Sequence, residues 1–124
     1  MWMIALALAA AGPCANANSQ LAMNQCAASE YKQADSAMTR QWNANYAAMK
    51  RRDTQDRSRG GGFGYAAALL ESQRAWLKFR DTQCVVEGGQ YAGGSMQGMV
   101  ITQCKTRMTR ARTARPSSLS RLEE

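Results

Sequence analysis

Residues 69–84 read LLESQRAWLKFRDTQC. Leu69, Leu70, Trp76, Leu77 and Cys84 recur at helical spacings, so they line one face of a helix. Ala68, Ala75, Phe79 and Val86 form a second apolar strip, which predicts a helix packed against neighbours on two sides, the middle member of a bundle. Gln73 and Arg80 fall beside the first stripe. An amide or guanidinium buried there without a partner is costly, so each is expected to find one.

Outward from this helix the chain reads as two more. From Ser19 to Arg52, positions Met23, Ala27, Tyr31, Ala34, Met38, Gln41 or Trp42, Asn45 and Met49 step by three and four, with Ser19 or Asn24 as N-cap. At 1.5 Å per residue this helix is roughly 50 Å long, so its far end is expected to kink, fray or meet another molecule. Residues 53–64, DTQDRSRGGGFG, break the pattern and predict a mobile connector, with positive charge gathered at Lys50, Arg51, Arg52, Arg57 and Arg59. The central helix then spans about Tyr65 to Glu87, and GGQYAGGS at 88–95 reverses the chain. Ser95 is the expected N-cap of a third helix carrying Met96, Val100, Ile101, Cys104, Met108 and Ala111, which Pro116 ends.

The 124 residues hold one domain with a small core. Residues 1–11, MWMIALALAAA, are too short for a membrane span and read as a secretory signal peptide, leaving a helical domain over 12–115 and a loose tail over 116–124. A competing cleavage after Ala17 would discard Cys14 and leave an odd cysteine, so cleavage before Gly12 is preferred. Pro13 stands where a lipoprotein signal needs a small residue, which argues against a lipid anchor. The expected location is periplasmic or secreted.

Four cysteines, no histidine and no two-residue ligand spacing predict two disulfides and no metal or cofactor. With depth along an up-down bundle measured from the Gly88 turn, pairing Cys14 with Cys84 and Cys26 with Cys104 minimises the mismatch. The alternative, Cys26 with Cys84, forces Cys14 deep along the third helix. The expectation is therefore an all-α, up-down three-helix bundle stapled by two disulfides.

Several stretches in order carry a family resemblance: MNQCAASEYKQAD at 23–35, QRAWLKFRDTQC at 73–84, GGS at 93–95, and the spacing of Cys104, Thr109 and Arg112. From Cys14 to about Arg112 the chain resembles the lysozyme-inhibitor LprI-like family of small exported helical domains. The resemblance implies a disulfide-stapled helical protein of the periplasm or exterior that blocks a lysozyme, the enzyme that cleaves peptidoglycan.

Three function classes follow. An inhibitor would occlude an enzyme cleft with a rim loop, and its candidate contacts are Tyr91, Gly93, Gly94 and Ser95, supported by Arg80 and Asp81. The bland alternatives are a simple turn at the glycines and a structural salt bridge to a neighbouring helix at Arg80 and Asp81. The second class is a basic envelope module that binds anionic polymer or lipid through Lys105, Arg107, Arg110, Arg112 and Arg115, in keeping with the net charge of +7. That charge also opposes binding to a cationic lysozyme unless a local acidic patch offsets it. Nucleic acid is discounted for want of an interleaved aromatic and basic motif. Catalysis is not expected, because histidine is absent, the cysteines are oxidised and no paired carboxylates share a helix face.

Overall fold

Residues 14–60 and 62–114 are described by a computed structural model. The expected signal peptide and tail lie outside them. Three helices follow in order, α1 at Gln20–Gln55, α2 at Tyr65–Gly88 and α3 at Gln97–Ala114, with short 3-10 turns at Ser58–Gly60 and Gly89–Tyr91 and no strand among the described residues. Each helix packs on the other two, in the up-down order expected.

Ser19 caps α1 by accepting the Ala22 N–H at 3.1 Å. The inner face of α1 buries Ala27, Ala34, Met38 and Met49 at the predicted spacing. At about 54 Å α1 is the longest element. Its far end meets the start of α2: the Arg52 guanidinium lies 4.7 Å from the Tyr65 ring centre. Asp53 belongs to α1, not to the connector, and caps α2 from across the bend by accepting the N–H groups of Tyr65 at 2.7 Å and Ala66 at 3.0 Å. Gly64, in the N-cap position at φ 90°, has no side chain for that task.

At the other end α3 starts one residue late for a Ser95 cap. The Met96 carbonyl accepts the Val100 N–H, and the Gln97 side chain accepts the Gly93 N–H at 3.1 Å.

The disulfides are Cys14–Cys26 and Cys84–Cys104, with α-carbons 5.0 and 5.5 Å apart. This corrects the pairing of Cys14 with Cys84 and Cys26 with Cys104. Measuring depth from Gly88 places the reversal too early, because the turn at Gly89–Tyr91 extends the end of α2 and the chain reverses around Gly94. Gly94 lies midway in the 20-residue separation of Cys84 and Cys104, so the two sit level. Gly88 packs so closely on Ile101 that a β-carbon there would stand 2.6 Å from Ile101 Cγ1. Cys84 and Cys104 are one turn further in. Cys14, meanwhile, belongs to a turn that folds back onto the start of α1.

The core is thin. The largest side chains buried almost completely are Met49, Thr109, Cys84 and Cys104. Each bridge closes a loop of a length that contributes about 3 kcal/mol, a large share of the net stability of a domain this size.

A second correction concerns α2. Leu69, Leu70, Trp76, Leu77 and Cys84 face inward, but Ala68, Ala75, Phe79 and Val86 are exposed, Phe79 at 56% and Val86 at 72%. Among the described residues no element covers this strip. The other two helices both pack on the first face.

Candidate functional site

The residues that gave the sequence its family likeness converge on one polar layer between the three helices. Arg80 is 5% exposed. Its Nε and Nη2 each lie 2.9 Å from Asp81 Oδ1, its Nη1 donates to Thr109 Oγ1 at 3.2 Å, and its guanidinium sits 5.5 Å from the ring centres of both Tyr31 and Trp76. Arg112 also lies against Trp76, 4.6 Å from the ring centre, and its Nε donates to Gln73 Oε1 at 3.1 Å. Gln73 in turn lies against Met38 Sδ on α1. Two guanidiniums thus lie against one indole, and every buried side-chain nitrogen and oxygen among the described residues has a partner. The partners required for Gln73 and Arg80 are therefore present.

This geometry separates the candidate contact residues. Arg80 is engaged on all sides within the bundle. Asp81, half exposed, holds Arg80 from the next position on the same helix rather than from a neighbouring one, with Lys105 Nζ at 3.9 Å from α3. Tyr91, Gly93, Gly94 and Ser95 lie together in the exposed turn between α2 and α3. Gly93 holds φ 79°, a left-handed conformation that suits glycine, and Gly94 donates to the Tyr91 carbonyl at 2.9 Å. Both glycines have structural work in this turn.

The same end of the bundle carries apolar side chains that periodicity alone did not single out for a site. Val85 and Val86 project from the last turns of α2, Met96 precedes α3, and Leu21 opens α1, whose first residue Gln20 lies against Met99 of α3. With Tyr91 these are five large exposed apolar groups at one end. The other two among the described residues are Phe63 and Phe79. Val86 had a signal in the sequence as part of the second α2 strip. In the sequence Met96 belongs to the apolar face of the third helix, and Val85 had no signal.

Charge is divided between the ends. In the stretches nearest the hairpin rim, Glu30, Asp81 and Glu87 nearly offset Lys78, Arg80, Lys105 and Arg107, and Glu87 pairs directly with Arg107. Toward the connector, cations predominate. The α3 cations do not form one binding stripe: Lys105 faces Asp81, Arg107 faces Glu87, Arg112 is built into the polar layer, and Arg115 lies outside the described residues.

Two other features are secondary. An open groove of about 350 Å³ between α2 and α3 is lined by Trp76, Phe79, Met108, Ala111 and Arg112. Cys14, Cys26 and Glu30 bring potential ligand atoms within 4.8 Å of one another, but sulfurs joined in a disulfide are not thiolate ligands.

Three mutually packed helices, two disulfides and a buried arginine layer define a small, disulfide-stapled helical scaffold. Comparison with known proteins places that scaffold. The family model for the lysozyme inhibitor LprI matches residues 11–115, and the chain belongs to that family. It is also 36% identical over 102 residues to the uncharacterized protein R02472 of Rhizobium meliloti (strain 1021), covering 82% of this chain and 73% of the relative. No solved structure matches. No helix among the described residues is long and apolar enough to cross a membrane.

Proposed function

We propose that this protein is an exported inhibitor that binds and blocks a peptidoglycan-cleaving lysozyme without catalysis, using the hairpin end of the bundle. Family membership supports the class of target. The observation that carries the choice of surface is that Tyr91, Val85, Val86, Met96 and Leu21, five of the seven large exposed apolar side chains among the described residues, lie at the end that holds the Gly93–Ser95 turn, since exposed apolar surface marks interaction sites. The two disulfides favour an oxidising compartment.

The charge objection weakens at this end. Cys26 and Lys50 are about 36 Å apart along α1, more than four Debye lengths at physiological salt. A cationic lysozyme approaching the hairpin end meets a nearly balanced surface, with the strongest positive charge screened behind it. Arg80 and Asp81 act here as supports that hold α2 and α3 in place beneath the rim, and Tyr91 acts as the anchor.

The test is a cell-wall lysis assay against several lysozyme classes, with the oxidised protein at physiological salt. Dose-dependent inhibition is expected for at least one class, falling at least tenfold in Tyr91→Ala or Val86→Ser while folding is retained. Absence of inhibition across all classes would defeat the reading. Full inhibition by both variants would move the contact surface elsewhere.

A further inference from the structure

From the connector end, opposite the proposed lysozyme-binding surface, we propose that this protein docks on anionic phospholipid membrane surfaces, with Phe63 entering the headgroup boundary and Lys50, Arg51 and Arg57 meeting lipid phosphates.

Four observations meet at this end. Phe63 is 58% exposed, the one large apolar side chain exposed here among the described residues. It is presented by a held backbone: Asp56 Oδ2 accepts the Phe63 N–H at 3.0 Å, and Asp56 Oδ1 accepts the Ser58 N–H at 2.9 Å. Lys50, Arg51 and Arg57 are exposed at the same end. The two carboxylates here are committed to backbone, since Asp53 caps α2 and Asp56 holds the connector, and they are outnumbered by Lys50, Arg51, Arg52 and Arg57.

The neighbouring face continues the pattern. Trp42 and Tyr46 stack at 5.1 Å between ring centres, and the Lys50 ammonium lies 4.5 Å from the Tyr46 ring centre. Aromatic bodies next to cationic tips suit the boundary between headgroups and acyl chains. Basic residues at a helix C-terminus also complement its dipole, which accounts for Arg52 in the last turn of α1. The dipole does not account for Arg57, beyond the helix, or for an exposed phenylalanine among cations. An anionic bilayer accounts for both, because apolar insertion and headgroup attraction reinforce each other.

This docking leaves the hairpin end directed away from the bilayer, so the two surfaces do not compete. Its test is separate from that of lysozyme binding. The full chain is co-sedimented with phosphatidylglycerol vesicles and with phosphatidylcholine vesicles at low and physiological salt. Binding is expected on the former only, weakening as salt rises.

Lys50→Glu, Arg51→Glu and Arg57→Glu together should weaken it at least a hundredfold, on the order of fivefold for each cation. Phe63→Ala should weaken it about tenfold. Lys32→Glu with Arg110→Glu, away from this end, should change it less than fivefold. Circular dichroism checks that each variant remains helical, and lysozyme inhibition should be unchanged in the Phe63→Ala variant. Equal losses in the Lys32 and Arg110 variant, or no dependence on Phe63, would overturn the proposal. So would binding to soluble polyphosphate without binding to phosphatidylglycerol vesicles, which would assign an anionic polymer instead.

Discussion

Replacing Arg80 by methionine keeps most of the side-chain volume and removes the guanidinium from the centre of the polar layer. Thr109, fully buried, loses the donor at 3.2 Å, and a buried hydroxyl left short of a partner costs about 1–2 kcal/mol. The contacts with the Tyr31 and Trp76 rings add about 0.5–1 kcal/mol each. Asp81 is half exposed and keeps Lys105 nearby, so its loss is small. The expected destabilisation is about 2–4 kcal/mol, or on the order of 5 °C in Tm for each kcal/mol in a domain of this size. Urea unfolding should move the midpoint with little change in slope. Inhibition measured well below the new Tm should persist, because Arg80 does not reach the surface. A loss under 1 kcal/mol would refute the view that this guanidinium holds the helices together. Normal stability with lost inhibition would make Arg80 a contact residue after all.

The disulfides can be read from a tryptic digest without reduction. Neither Lys nor Arg occurs between Cys14 and Cys26 or between Cys84 and Cys104, so each bridge should close within a single peptide, and a cross-linked pair of peptides would refute the connectivity. Loss of the inner bridge in Cys84→Ser with Cys104→Ser should cost about 3 kcal/mol by urea unfolding. Gly88→Ala should destabilise by about 1 kcal/mol despite alanine's better helix propensity, because Ile101 must move, and a stabilised variant would contradict the close approach. The backbone N–H of Ser58, then its side chain and the N–H of Phe63, hold the Asp56 carboxyl below its ordinary value of 3.8. A carboxylate lowered in the folded state contributes above its unfolded value and is lost as pH falls through the folded one. The Phe63 amide resonance should therefore stay constant down to pH about 4 and shift only below it, whereas Asp56→Asn should alter it at neutral pH.

The helices were legible because their signals are local. The spacing of Met38 and Met49, the Ser19 cap and the glycines of both turns act within a few residues of themselves. The need for partners at Gln73 and Arg80 was legible too, since a polar group beside an apolar stripe carries a cost that some other residue must meet. Which residues would meet it was not, because Thr109 and Arg112 lie 29 and 39 residues away. The candidate site divided likewise. Tyr91 and the turn glycines could be found from the loop itself, whereas Leu21 joins them only through the packing at the hairpin end. The strip of Ala68, Ala75, Phe79 and Val86 marks the limit: periodicity states which residues share a face, not whether a neighbour covers it.

The sequence by itself therefore determined an all-helical chain, its three elements and its family, through local periodicity, caps and ordered motifs. The tertiary structure alone decided the disulfide pairing, the burial of Arg80 and the separation of an apolar, nearly charge-balanced end from a more basic one. Those properties depend on where the chain reverses. A shift in the reversal from Gly88 to Gly94 brings Cys84 level with Cys104, and no pattern within either helix records that depth.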